Sequence, residues 1–486
     1  MALIISMIVA VLVNGLPKFK GLYLVAFFLP YLSSGVVTSL IVQGLLSYNS
    51  ALNVFLRGHF GWDIDWLGTP MSALVIISLM IAWKMSGYYA LILISGLASI
   101  NHEIYEAAAM DGSGRFRTFW KVTVPMLYPA LFTVIVLAVG VSFGIFTEVY
   151  QLTGGGPNFA TNTWQMEIFN QAFVNLNSGY ASAISLMAAT VTFASIGVIK
   201  KMLEKWVKEM VGHNSKAGKI VRYILTTLLM LVMIYPFIYL VLNSFAAWDQ
   251  VDKKLIPTEF TTRSWDWLFG NSVVAAPAPW IHAFINTIIV STIATGLMLL
   301  FGLMVGYALA KVDFKGKKIV NNAILFQMFF PAIILLIPQF LMITDFGLLD
   351  TYAGMIIPTM LSLWAVFMYT NFFKAIPDTL IEAAKLDGAS DLKILFRVVL
   401  PMSKSITTVI FLFLFTDRWT NLLWDMLVTK SDGTVTLNVL ISQMFGPYAT
   451  YPGPMYAASV LLTLPLIILF LFFSKKFQEG MQFTLK

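Results

Sequence analysis

The stretch Glu106–Pro125, "EAAAMDGSGRFRTFWKVTVP", returns later in the chain as Glu382–Pro401, "EAAKLDGASDLKILFRVVLP". Both begin Glu-Ala-Ala, reach Asp-Gly at the same place, and end in Pro after a basic, hydrophobic run. A polar loop repeated at equal length points to two copies of one unit. The surroundings of each copy are apolar. Of 486 residues, 58% are hydrophobic and 11% charged, and the mean hydropathy is +0.81. A soluble domain carries roughly a quarter charged residues. Apolar runs recur at about 20 residues, the length that crosses a ~30 Å hydrocarbon core. Strand-type alternation is lacking, so the expected fold class is all-α, a polytopic transmembrane helical bundle.

About eleven apolar segments are expected: near 1–16, 21–46, 70–97, 127–150 and 180–200, then 219–245, 283–311, 320–344, 351–373, 403–426 and 455–474. This divides the chain into a first unit, 1–207, a cytoplasmic linker, 208–222, and a second unit, 223–486. The linker region "KKMLEKWVKEMVGHNSKAGKIVR" is basic with a Gly/Asn/Ser centre, which reads as a flexible joint. Lys and Arg mark cytoplasmic loops. Lys200, Lys201, Lys205, Lys208, Lys216, Lys219 and Arg222 therefore place the joint inside. Alternation from there puts both Glu-Ala-Ala loops inside, with Arg115, Arg117, Lys121, Lys385, Lys393 and Arg397. Asp63, Asp65, Asp249, Asp252, Glu259, Asp266 and Asp432 fall outside. The two units are thus parallel copies, and parallel repeats of this kind place a pathway at their interface.

Composition excludes several function classes. The net charge of +7 is explained by cytoplasmic loops, and no basic region interleaved with stacking aromatics supports nucleic-acid binding. There are no cysteines, hence no disulfide, thiol catalysis or zinc-thiolate site. His59, His102, His213 and His282 are far apart, so no metal site is expected. Residues 1–16 lack the basic region that opens a signal peptide and read as a membrane segment that is short for a full span.

Glu106 to Asp111 is helix-favouring, with Ala107, Ala108 and Ala109 giving a small-residue surface. Gly112 can take the left-handed conformation that ends a helix. An amphipathic pattern resumes over 116–124, and Pro125 breaks or restarts it. Glu382, Ala383, Ala384, Asp387, Gly388 and Pro401 follow the same plan. Helix, turn, helix makes a plug for another protein's groove, and two such plugs imply a partner with two equivalent sockets.

Both stretches resemble the E-A-A-x3-G-x9-I-x-L-P loop of bacterial ABC importer permeases of the maltose and glycerol-phosphate type, with Val122 and Val398 at the Ile position and Val124 at one Leu. The resemblance covers essentially the whole chain. Residues 1–207 are similar to a first permease through "WKMSGYYALILISGL" and "LTGGGPNFATNTW". The remainder is similar to a second through "NTIIVSTI", "GYALAKVDFKGKK" and "YAASVLLTLPLIILFLF".

That resemblance implies a type I importer fold in which each loop is a coupling helix seated in a dimeric cytoplasmic ABC ATPase. It implies an extracytoplasmic sugar-binding protein as a second partner, a sugar as substrate, and the bacterial inner membrane as location. Glu106, Ala107, Ala108, Asp111, Gly112 and Pro125, with their six counterparts, become the ATPase-coupling residues. The chain has no G-x-x-x-x-G-K-[ST]; the nearest string, "GHNSKAGKI", has the wrong spacing. ATP and magnesium therefore belong to the partner, and the chain is expected to be no enzyme and to hold no cofactor.

Three departures from the family pattern stand out. A helix expected before residue 1 is missing, either because the sequence is a fragment or because that half is reduced. The two permeases are joined in one chain, by natural fusion or by concatenation. The second half reads "DRWTNLLWDM", with Thr420 and Asp425 in the usual Asn and Pro places. Sugars are held by aromatic faces and polar groups in a mostly apolar pocket. The family's substrate spans here offer Trp83, Tyr88, Tyr89, Ser142, Glu148 and Tyr150, with Tyr88 and Ser142 as the leading pair. Lys84 lies inside its span, where a charge faces a cavity or a partner. Asp417 and Arg418 are expected to line the pathway or lock the halves, and as neighbours that point different ways on a helix they need not pair with each other. The alternative function is a secondary transporter of two parallel halves, which needs a membrane-embedded acid or ion site.

Overall fold

The computed structural model describes residues 1–16, 20–98, 100–209, 219–269, 279–328, 333–444 and 452–483. Residues 210–218 of the expected linker, with His213 and Lys216, lie outside the described residues. Among the described residues every regular element is a helix, and the β pairing is one isolated bridge between Ala246 and Phe260. The reason is backbone accounting: hydrocarbon offers no hydrogen-bond partner, so each segment must satisfy its own N–H and C=O groups. Large apolar side chains on the outer faces, such as Leu228, Leu231 and Val232, are more than half exposed, as lipid-facing positions should be.

Among the described residues six helices are long and apolar enough to cross a membrane, and up to nine spans result if each sharply bent helix pair counts as one. Eleven were expected. The difference lies in 1–16 and 320–344, where the described residues form only the short apolar helices Ala2–Asn14 and Leu335–Asp345. The 21–46 segment breaks at Ser33 and Ser34 into Lys20–Leu32 and Gly35–Leu46, and the second part continues as the candidate span Gly35–Phe60.

In the first unit, Ala2–Asn14 and Lys20–Leu32 both pack on Pro70–Ala98. Gly87 sits at the tightest crossing: a Cβ there would lie 1.8 Å from the Phe27 carbonyl oxygen. Small residues of this kind let helix backbones approach in a membrane. In the second unit, Trp280–Lys311 packs on Leu363–Lys374 and on Lys404–Trp419, and Pro452–Phe483 packs on Lys404–Trp419.

The units meet along Lys20–Leu32, which packs on Lys219–Ser244 and Pro452–Phe483. The Tyr23 and Thr227 hydroxyls are 2.8 Å apart across this boundary. Farther out, the Gln151 amide donates to the Ser442 hydroxyl, and the Ala51 N–H donates to the Asp252 carbonyl at 3.0 Å. Asp252 is itself gripped by the Tyr239 and Tyr456 hydroxyls, at 2.8 and 2.5 Å. Burial there pushes its carboxyl above the usual range.

Gly87→Ala is expected to lower thermal stability by about 1–3 kcal/mol, because a backbone atom must move to admit the methyl. Gly179→Ala, where nothing lies within 4 Å of the new Cβ, should leave it unchanged. Thermal unfolding of the two variants in detergent checks this.

Candidate functional site

The two Glu-Ala-Ala loops fold alike. His102–Met110 and Asp378–Leu386 are helices of 9 residues each. Each is followed by a left-handed glycine, Gly112 at φ 71° and Gly388 at φ 73°. The Ser113 N–H donates to the Ala108 carbonyl at 2.9 Å, and the Ala389 N–H donates to the Ala384 carbonyl at 3.0 Å. This six-residue closure over a positive-φ residue is the Schellman ending, which suits glycine at its hinge. A short helix and a π-type turn follow in each: Arg115–Thr118 and Phe119–Thr123, then Asp391–Ile394 and Leu395–Val399.

The chain then turns into its span, bending by 66° between Phe119–Met126 and Tyr128–Phe143 and by 87° between Asp391–Met402 and Lys404–Trp419. Pro125 and Pro401 do not sit at these breaks. They lie in Val124–Met126 and Leu400–Met402, directly after the π-type turns and two residues before each break.

Exposure repeats as closely as conformation. Glu106, Ala107, Asp111 and Gly112 are exposed and Ala108 is half-buried; Glu382, Ala383, Asp387, Gly388 and Ala384 match them one for one. Met110 and Leu386 occupy equivalent places and are 89% and 90% exposed. Sequence reasoning passed over these two, although an apolar residue precedes Asp-Gly in both copies. The second loop is tied to its unit by Lys311, whose ammonium reaches Asp378 at 2.6 Å and the Ile376 carbonyl at 2.5 Å. Hydrogen bonding and charge from Lys311 hold the Asp378 carboxyl below its usual range. This contact is therefore fully present above the ordinary Asp value of about 4 and is lost only as pH falls through the depressed value.

Between the units lies an aromatic cluster. Tyr31 stacks on Tyr88 at 4.8 Å, and Phe413 from the second unit meets them at 6.0 and 5.2 Å. Phe28 and Trp364 complete it, at 6.4 and 5.5 Å from Phe413. Tyr31, Tyr88 and Trp364 keep partly open surfaces, whereas Phe413 is buried. Trp83 packs 5.6 Å from Phe237 of the second unit, and Tyr89 is buried at 1% exposure.

The charges inside the bundle are mostly paired. Lys84 binds Glu148 at 2.8 Å. Arg418 is 2% exposed and grips Asp425 with both terminal nitrogens, at 2.6 and 3.1 Å, while also donating to the Met355 carbonyl. Asp425, an oddity in the sequence, is thus the partner of Arg418. Asp417, its neighbour, points elsewhere and is exposed.

The family described as "Binding-protein-dependent transport system inner membrane component" matches residues 2–209 and again residues 298–482. The chain belongs to this family. It is 33% identical over 198 residues to the arabinooligosaccharides transport system permease protein AraQ of Bacillus subtilis (strain 168), covering 41% of this chain and 70% of that one. It is 32% identical over 207 residues to the multiple sugar-binding transport system permease protein MsmF of Streptococcus mutans serotype c, covering 43% and 70%. A solved bacterial ABC transporter involved in import of the acidic polysaccharide alginate aligns at 24% identity with a TM-score of 0.49, over 55% of this chain and 100% of that one. The family match falls twice on one chain, so this inner-membrane component carries two units.

The leading pair from the sequence falls in two places, Tyr88 in the aromatic cluster and Ser142 in a cleft. Ser142 lines a cleft of about 440 Å³ with Phe143, Asn162, Thr163, Trp164 and Glu167, and Tyr88 is not among its walls. In that cleft Glu167 accepts from Asn162 at 2.8 Å and from Gln171 at 2.7 Å. Glu148 and Arg418 are engaged in ion pairs, and Tyr150 stacks on Phe146 at 5.1 Å.

Breaking the buried Arg418–Asp425 pair by Asp425→Leu alone should cost about 3–5 kcal/mol, since it strands a buried charge. The double variant Arg418→Met with Asp425→Leu should recover most of that loss. A double-mutant cycle on thermal unfolding in detergent measures both.

Proposed function

We propose that this inner-membrane component is the whole transmembrane pathway of a sugar importer, driven by a separate dimeric ATPase that docks on both Glu-Ala-Ala helices. The observation that carries the reading is the pair Met110 and Leu386. Two helices closed alike, each exposing an apolar side chain at the same position, suit two equivalent sockets. ATP and magnesium reside in that partner, and an extracytoplasmic binding protein delivers the sugar. Sugar as substrate is supported by the arabinooligosaccharide and multiple-sugar relatives. It also suits the Ser142 cleft, where the Trp164 face stands beside Asn162 and Glu167. The secondary-transporter alternative gives no role to two repeated docking helices, and of the acids inside the bundle Glu148 and Asp425 are neutralised by Lys84 and Arg418, which leaves Asp417.

Met110→Asp or Leu386→Asp should weaken ATPase association by about 2 kcal/mol, roughly thirtyfold, as loss of a central apolar anchor does. Gly388→Pro should abolish association and sugar uptake while the chain stays in the membrane. Co-purification of the ATPase, read beside uptake, is the measurement. Uptake that persists with no ATPase bound contradicts the reading.

A further inference from the structure

Asp417 stands open inside the bundle. It is exposed, while Arg418 beside it is buried in its own pair with Asp425. Among the described residues, Asp417 has no hydrogen bond or ion pair. It lies four residues after Phe413 on Lys404–Trp419, so both share one helix face about a turn apart. Phe413 is the centre of the aromatic cluster where the two units meet, and Asp417 is close enough to Tyr31 to act on its hydroxyl electrostatically. Lys404–Trp419 runs outward from the cytoplasmic loop, which places Asp417 on the outer side of the cluster.

Lys84 lies four residues before Tyr88 on a helix that runs the opposite way. It therefore also sits a turn outward of the aromatics, but Glu148 cancels it at 2.8 Å. Two pairs in this region are neutral, and the open carboxylate is the charge left over. An unpaired carboxylate is costly within a membrane unless it faces water or a permeating solute.

We propose that Asp417 is a charge filter in the passage between the units, so that the passage takes neutral saccharides and disfavours uronates and sugar phosphates. The aromatic faces of Tyr31, Tyr88 and Trp364 accept the apolar face of a sugar ring, and the carboxylate accepts its hydroxyl protons. An anionic sugar meets like charge in a narrow passage with low-dielectric walls, where the field is focused and the repulsion is stronger than in bulk solution. The inference rests on the importer reading and narrows its substrate.

The lack of native cysteines makes a direct test possible. Thr420→Cys places a thiol three residues from Asp417 on the same face. The full chain, in nanodiscs with its ATPase, is treated with a cationic trimethylammonium-ethyl or an anionic sulfonatoethyl methanethiosulfonate. The cationic reagent should react faster, and adding Asp417→Asn should reduce the cation-to-anion rate ratio by about tenfold. Asp417→Glu should retain the ratio. Because a ratio is read on one sample, partial misfolding does not mimic the effect. If both reagents label and Asp417→Asn leaves the ratio unchanged, the filter is refuted while the importer reading stands. If neither reagent labels in any nucleotide state, there is no aqueous passage and both readings fail.

Discussion

Hydrocarbon supplies no hydrogen-bond partner and no counter-charge, and this constraint orders the whole molecule. It makes the backbone helical. It also forces ionised side chains inside the bundle to find each other, and the two deep pairs are the result. Lys84 reaches Glu148 from another helix, and Arg418 reaches Asp425 across the break that ends its own helix. Once these pairs are accounted for, the groups left uncompensated become conspicuous. One is Asp417, open among aromatics between the units. The others are Met110 and Leu386, bare on the two Glu-Ala-Ala helices.

The architecture follows from duplication. Two units, each with one polar helix–turn–helix leading into a sharply bent span, lie side by side with aromatic contacts at their seam. Each loop leads through a short helix and a π-type turn into a bent span, one carrying Phe413 and the other bordering the first unit's cleft. The loop in the second unit is further braced by Lys311, which joins it to the long Trp280–Lys311 helix.

Much of this was legible in the sequence because the decisive signals are local. Asp-Gly after Glu-Ala-Ala forecasts a helix closed by a left-handed glycine, and both copies close that way. Mean hydropathy forecasts a membrane bundle. What was not legible depends on the third dimension. Arg418 and Asp425 are seven residues apart, with a break at 420–422 that no regular periodicity describes. Lys84 and Glu148 are separated by 64 positions. Tyr31 belongs to the aromatic cluster only because Lys20–Leu32 crosses at Gly87, and nothing around it in sequence distinguishes it from packing residues. The break at Ser33–Ser34 falls within a run whose hydropathy is continuous, so hydropathy does not show that Lys20–Leu32 and Gly35–Leu46 are separate helices.

The central claim is that each unit contributes one docking helix to the same ATPase dimer. Cysteine placed at Met110 or at Leu386 in this cysteine-free chain, followed by a thiol-to-thiol cross-linker and an ATPase carrying cysteine in its groove, tests it most directly. The account predicts that each position captures one ATPase subunit, that the doubly substituted chain captures two, and that yield changes when ATP is bound. Capture at one position only, or at neither, would contradict it.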